Sequence, residues 1–204
     1  MVPTFRRLLL GASLLTGTAG AAHAAIVFSD NFNAENGGVG QLNYVGFANW
    51  TVPSGSVDLI GNGFFDFLPG NGLYVDLNGS TNQGGTITSI ATFAPGAYHL
   101  TFDFAGSQRG LAGIVTVTLG DANQTITLPS STGFTSQSID LTVSTSGVLN
   151  LSFASGIPGG NIGGLLDNVV VATQDVAGVP EPASLALLGA GLAGLGFASR
   201  RRRA

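Results

Sequence analysis

Oxygen-bearing side chains crowd the stretch Asp30-Asn31-Phe32-Asn33-Ala34-Glu35-Asn36, where Asp30, Asn31, Asn33, Glu35 and Asn36 fall within seven positions. Calcium takes about six to eight oxygens from carboxylates, amide carbonyls and backbone, so the composition is that of a calcium ligand group. The EF-hand spacing is not there. Asp and Asn in such a stretch also serve as local turn caps, and both readings stay open. A second chemistry is offered by the rings of Tyr44, Phe47, Trp50, Phe64, Phe65 and Phe67. Sugars stack their apolar faces on exposed aromatics with polar groups alongside, and Trp50 or Tyr44 near Asp58 or Asp66 would supply that. Core packing is the competing use of the same rings. Phe64 and Phe65 are adjacent, so in an extended segment one of them turns away from the core.

Catalytic groups are sparse. The histidines are His23 and His99, and cysteine is absent. No thiol chemistry, thiolate metal site or disulfide is therefore available. His99 lies in a strand-like pattern with no motif around it. Glycoside hydrolysis needs two facing carboxylates, and no sequence feature singles out a pair. Asp167 sits in an apolar run, where a carboxylate faces out or has a partner. Arg109 is the one basic side chain between residues 25 and 178, in a Ser107-Gln108-Arg109-Gly110 turn that reads as surface. No catalytic residue is assigned.

Charge is distributed unevenly. The whole chain carries −4, but residues 25–178 hold ten acidic groups against that one arginine, near −9. The other basic residues are Arg6, Arg7 and Arg200 to Arg203, at the two ends. An acidic, lysine-free surface repels phosphate backbones, which excludes nucleic acid as a partner and suits cations or neutral sugars.

Both ends are compositionally distinct. Arg6 and Arg7 precede the apolar run Leu8 to Leu15, and Ala22-His23-Ala24 supplies small residues two apart. These are the parts of a secretory signal peptide in order, expected over residues 1–24. At the other end Val179-Pro180-Glu181-Pro182 leads into an uncharged apolar stretch, Ala183 to Ser199, and then Arg200, Arg201, Arg202 and Arg203. Its length reaches ~25 Å as a helix, near the lower limit for crossing a bilayer. The arginines fix that flank in the cytoplasm, which leaves the bulk of the chain outside.

Pro180-Glu181-Pro182, a glycine-rich apolar segment and a terminal arginine cluster, in that order, resemble the PEP-CTERM sorting signal of exosortase-processed bacterial proteins. The resemblance covers residues 178–204. It implies recognition of the Pro-Glu-Pro motif by an exosortase-type membrane protease, cleavage nearby, and transfer to the cell surface or extracellular matrix. The two prolines hold the backbone extended and deny helix to the residue before each, which keeps the motif accessible.

The intervening residues, 25–177, are rich in Gly, Ser, Thr, Asn and Val and read as one all-β domain. Alternating segments are Thr86 to Phe93 and Tyr98 to Phe104, with Pro95-Gly96 between them as a hairpin-type turn. Further strands are expected over 113–119, 124–128, 134–143, 148–153 and 165–171. Short, regularly spaced strands indicate an antiparallel β-sandwich, jelly-roll-like. The run Gly164 to Val171 and the segment Gly84 to Gly106 resemble the last strand and central hairpin of carbohydrate-binding-module-like, galactose-binding-like jelly rolls. That resemblance implies a structural calcium held where the opening stretch meets the closing strand, with Asp30, Glu35 and Asp167 as ligands. The reading is an exported, non-enzymatic surface or matrix protein that contacts exopolysaccharide through a calcium-stabilised sandwich. Its rivals are a glycan-active enzyme, marked by two carboxylates across a groove, and a purely structural coat protein, with neither groove nor aromatic platform.

Overall fold

The computed structural model describes residues 24–120, 122–144, 149–174 and Gly189. The expected signal segment and membrane helix therefore lie outside the described residues, apart from Ala24 and Gly189. Among the described residues no helix is long and apolar enough to cross a membrane. Residues Ala24–Gln174 form one compact unit.

Eleven strands build that unit: β1 (Ile26–Asp30), β2 (Trp50–Ser54), β3 (Asp58–Gly61), β4 (Leu73–Asp76), β5 (Thr86–Phe93), β6 (Gly96–Ala105), β7 (Gly113–Leu119), β8 (Ala122–Leu128), β9 (Thr135–Val143), β10 (Leu149–Ser155) and β11 (Leu165–Thr173). A short 3-10 helix spans Glu35–Gly38. The strands form two antiparallel sheets, a five-stranded one ordered β2-β5-β10-β7-β8 and a six-stranded one ordered β3-β4-β11-β6-β9, with β1 added against β11. The expected all-β sandwich is therefore the observed one. Pro53 falls on β2, an edge strand, where a missing N–H breaks no ladder.

Alternation drives the packing. On β7 the residues Gly113, Val115, Val117 and Leu119 are buried while Ile114, Thr116 and Thr118 between them are only partly so. The inward residues of both sheets meet in one aromatic-rich core. Trp50 is its hub, edge-on to Phe28 at 5.2 Å and to Phe153 at 5.9 Å, and Phe153 in turn meets Phe102 at 5.0 Å. Such edge-to-face pairs add about 0.5–1.5 kcal/mol each beyond area burial. A second, smaller cluster of Ile60, Tyr74, Ala105 and Leu165 collects Phe64, Phe67, Leu68 and Phe134 on the opposite side of the six-stranded sheet.

One sequence expectation is corrected. Pro95-Gly96 does not close a hairpin: β5 belongs to the five-stranded sheet and β6 to the six-stranded one. The link crosses between layers, and Phe93 and Tyr98 pack edge-on at 5.7 Å across it. A period of two says which side chains face the core, not which sheet a strand joins.

Candidate functional site

β11 has two partners along one edge. Leu165 and Leu166 pair with β4, whereas Val169 to Ala172 pair with β1, Asp30 opposite Val169. Between the two stretches the register with β6 shifts after Asp167, and Asn168 takes a φ of 48°. This bulge brings the opening strand and Asp167 to the same place. A cavity of about 380 Å³ lies there, lined by Ser29, Asp30, Asn31, Asn168, Val169 and Val170.

The three residues expected to hold calcium are only partly brought together. Asp30 Oδ1 accepts the Phe32 N–H at 2.8 Å, and its Oδ2 accepts the Asn49 amide at 3.0 Å and the Trp50 indole N–H at 2.9 Å. Glu35 is buried, with both carboxylate oxygens on the Ala48 N–H at 3.0 and 3.1 Å. Burial raises its pKa, and the Ala48 N–H opposes that rise. Asp167 is 1% exposed and accepts the Asn168 N–H at 2.7 Å. Burial pushes it up to about 7, with Asp103 and Asp30 adding like-charge repulsion. The neighbouring amides serve the backbone: Asn31 caps the Asn33 N–H and Asn33 the Leu73 N–H. Among the described residues no group of three or more His, Cys, Asp or Glu stands where it could hold a metal ion. As a set of three, Asp30, Glu35 and Asp167 are therefore not gathered around one point.

Trp50 and Tyr44 are not a sugar platform. They are 1% and 7% exposed, Trp50 within the aromatic hub and Tyr44 edge-on to Phe47 at 4.7 Å. Both are amphipathic rings buried with their polar ends satisfied, Tyr44 Oη donating to the Gly46 carbonyl at 2.9 Å. Of the adjacent pair, Phe65 is the one that faces out, 55% exposed, while Phe64 packs on the smaller cluster.

A second cavity, about 250 Å³, lies beside β3 and β4 on the face opposite the main core, lined by Leu42, Asp58, Ile60, Phe65, Phe67, Asp76, Ser80, Arg109 and Asn161. Asp58 and Asp76 are cross-strand neighbours, 5% and 2% exposed. Asp58 accepts the Asn43 N–H at 2.7 Å, the Ser80 N–H at 3.1 Å and the Ser80 hydroxyl at 2.8 Å. Asp76 Oδ1 accepts the N–H groups of Asn78 and Gly163, both at 3.0 Å, and its Oδ2 pairs with Arg109 Nη2. Residue 163 has to be glycine, since a Cβ there would run into Asp76 and Asn78. Burial pushes Asp76 up to about 7, against the pull of Arg109. Arg109 is thus no free surface cation: its side chain is 23% exposed and paired with Asp76. Its guanidinium lies 4.7 Å from the centre of the Phe67 ring, and its Nε is buried without a hydrogen-bond partner.

Neither carboxylate is arranged for glycoside cleavage. They share one wall of the cavity, and hydrolysis places its two carboxyls on opposite sides of the scissile bond. His99 Nδ1 meets Asp140 Oδ1 at 2.6 Å on the exposed side of β6 and β9, and Asp140 also accepts Gln174 at 2.7 Å. That pair ties strand ends at the surface.

Residues 178–203 match the PEP-CTERM protein-sorting motif. The chain carries a PEP-CTERM sorting signal. This signal marks it for export and for envelope anchoring before processing, and implies exosortase as the processing enzyme. Among solved structures, the sandwich is similar to a cleaved adhesin domain of Lys-gingipain from Porphyromonas gingivalis, at 15% identity and TM-score 0.53 over 74% of this chain and 100% of that one. It is also similar to the CBM22-1 xylan-binding domain of Paenibacillus barcinonensis Xyn10C, at 12% identity and TM-score 0.51 over 78% and 100%. The CBM22-1–CBM22-2 tandem of the same protein matches at 14% and 0.52 over 81% and 49%. These likenesses show a shared β-sandwich fold. No curated protein matches the chain.

The cavity beside β3 and β4 has no compact sequence signature. Arg109 and Asp76 are 33 residues apart, and only the fold joins them. The one available signal was the lone arginine in an acidic domain.

Proposed function

We propose that this chain is exported behind a signal peptide at 1–24 and held by the apolar segment 183–199, with Arg200 to Arg203 on the cytoplasmic side. Cleavage near Pro180-Glu181-Pro182 then releases its sandwich to the cell surface or matrix, where it binds extracellular polysaccharide without catalysis. The observation that carries this reading is the sorting signal at 178–203 behind a sandwich similar to a xylan-binding domain. An acidic composition, near −9 between residues 25 and 178, suits uncharged glycans. The test is a glycan array probed with the full-length chain in detergent, alongside fractionation of cells expressing wild type and Glu181→Ala. Retention of one or more neutral polysaccharides, and envelope accumulation of unprocessed Glu181→Ala, are the expected results. Silence across the array would favour a structural coat protein.

A structural calcium between Asp30 and Asp167 is a further part of this proposal, without Glu35. It is favoured by the like-charge repulsion that Asp30 adds at buried Asp167. Melting in calcium against melting in chelator decides it, since a ligand that binds only the native state raises the transition temperature.

A further inference from the structure

We propose that the cavity walled by Asp58, Asp76, Ser80, Arg109, Asn161 and Phe65 is the glycan site, and that it seats a single uncharged sugar ring. This rests on the glycan-binding reading above. Phe65 is the only phenylalanine, tyrosine or tryptophan among the exposed large hydrophobic residues of the described unit, 55% exposed, and it does so with a φ of 45°. Left-handed backbone at a bulky side chain is uncommon, and here it accompanies an exposed ring on the cavity wall. Phe64 braces the ring edge-on at 4.9 Å, which leaves a face of Phe65 for stacking.

The polar side is equally prepared. Arg109 lies over Phe67, and Asp76 holds its Nη2, so the guanidinium plane is fixed before any ligand arrives. A fixed planar fork loses little freedom when it donates to hydroxyls. Asp58 and Asp76 wall the cavity beside that donor, and Ser80 and Asn161 complete a lining that carries both donor and acceptor groups. That mixture suits hydroxyls, which donate and accept at once. Two carboxylates against one guanidinium disfavour an anionic uronate. At about 250 Å³ the cavity is smaller than the ~300–1,000 Å³ of drug-sized sites, which fits one ring rather than an extended chain.

The full-length chain in detergent is run by affinity electrophoresis through gels holding xylan, galactan, β-glucan or polygalacturonate. Wild type is expected to be retarded by at least one neutral polysaccharide. Phe65→Asn removes the stacking face while suiting a positive φ, so the melting temperature stays near wild type and affinity drops about tenfold or more. Arg109→Lys keeps the charge opposite Asp76 but removes the fork, with a similar loss. Thr116→Ala, on the five-stranded sheet, binds as wild type does. If a neutral polysaccharide retards wild type and both site variants equally, the site is wrong while glycan binding stands. Retardation by polygalacturonate alone would overturn the uncharged class. No retardation in any gel would remove the glycan reading and this site together.

Discussion

The two sheets carry opposite kinds of surface. No strand of the five-stranded sheet contains a charged residue: their sequences are WTVPS, TITSIATF, GIVTVTL, ANQTITL and LNLSFAS. Its outward side chains fall into cross-strand rows, Thr51-Thr88-Ser152-Thr118-Asn123 in one and Ser54-Thr86-Ala154-Thr116-Thr125 in the next. The six-stranded sheet instead bears Asp58, Asp76 and Asp167, all buried, with Asp103 and Asp140 further out. Each buried carboxylate there receives N–H groups from a loop or a bulge. A buried charge needs fixed donors, and fixed donors immobilise the loops that carry them. The uncharged sheet is therefore a scaffold, and both cavities lie on the charged one.

The sharpest way to break this contrast is to remove the anchor of the second cavity. Asp76→Ala strips Arg109 of its buried partner and leaves the Asn78 and Gly163 N–H groups without an acceptor. Breaking a buried pair from one side is worth ~3–5 kcal/mol, and urea unfolding is expected to show a loss of that order. A loss under ~1 kcal/mol would mean that the carboxylates are incidental to the fold.

Trp50→Phe tests the core from the other direction. It keeps a ring at the aromatic hub but deletes the indole N–H that Asp30 Oδ2 accepts at 2.9 Å. A loss of ~1–3 kcal/mol is expected, with glycan binding unchanged because Trp50 is 1% exposed. Weakened binding at preserved stability would restore Trp50 as a platform.

The buried carboxylates also set a pH dependence with a definite sign. Burial raises Asp76 from 3.8 to about 7, with Asp58 adding to the rise and Arg109, Asn78 and Gly163 opposing it. The native state thus keeps a proton that the unfolded chain has released. Stability from this group is full below the unfolded value, falls as pH rises from about 4 towards 7, and levels off above. Asp167 moves in the same sense. Urea midpoints across this range are expected to decline, and Asp76→Asn to flatten the decline. A midpoint that climbs between about pH 5 and 7 would contradict the assignment.

What the residues announce in advance follows the same division. Strand Gly113–Leu119 was legible to the residue because one of its faces is buried and the other is not. Strands β3 and β4, read as DLIG and LYVD, are buried at every position, since a loop covers their outer side. Without alternation they carry no period-two signal, and the cavity they wall was invisible with them. Trp50 and Tyr44 failed as platform residues because ring type alone cannot separate a core from a surface. The sorting tail was readable because its parts are contiguous and act on a membrane rather than on a fold.

The smallest expected effect concerns the uncharged face itself. Thr116 Oγ1 and Thr125 Oγ1 lie 3.0 Å apart on neighbouring strands of that face. Thr116→Ala removes this one cross-strand contact, worth ~0.2–1 kcal/mol, and leaves no buried group unpaired. Urea unfolding is expected to register a loss under ~1 kcal/mol, with cell-surface retention unchanged. Thr116→Lys sharpens the test, because a lysine there places the first charge on a face that has none. If the face is only solvated, the lysine reaches water and stability and retention both hold. Loss of retention at unchanged stability would show instead that the threonine rows meet a partner, and the division into scaffold and site would fail at that surface.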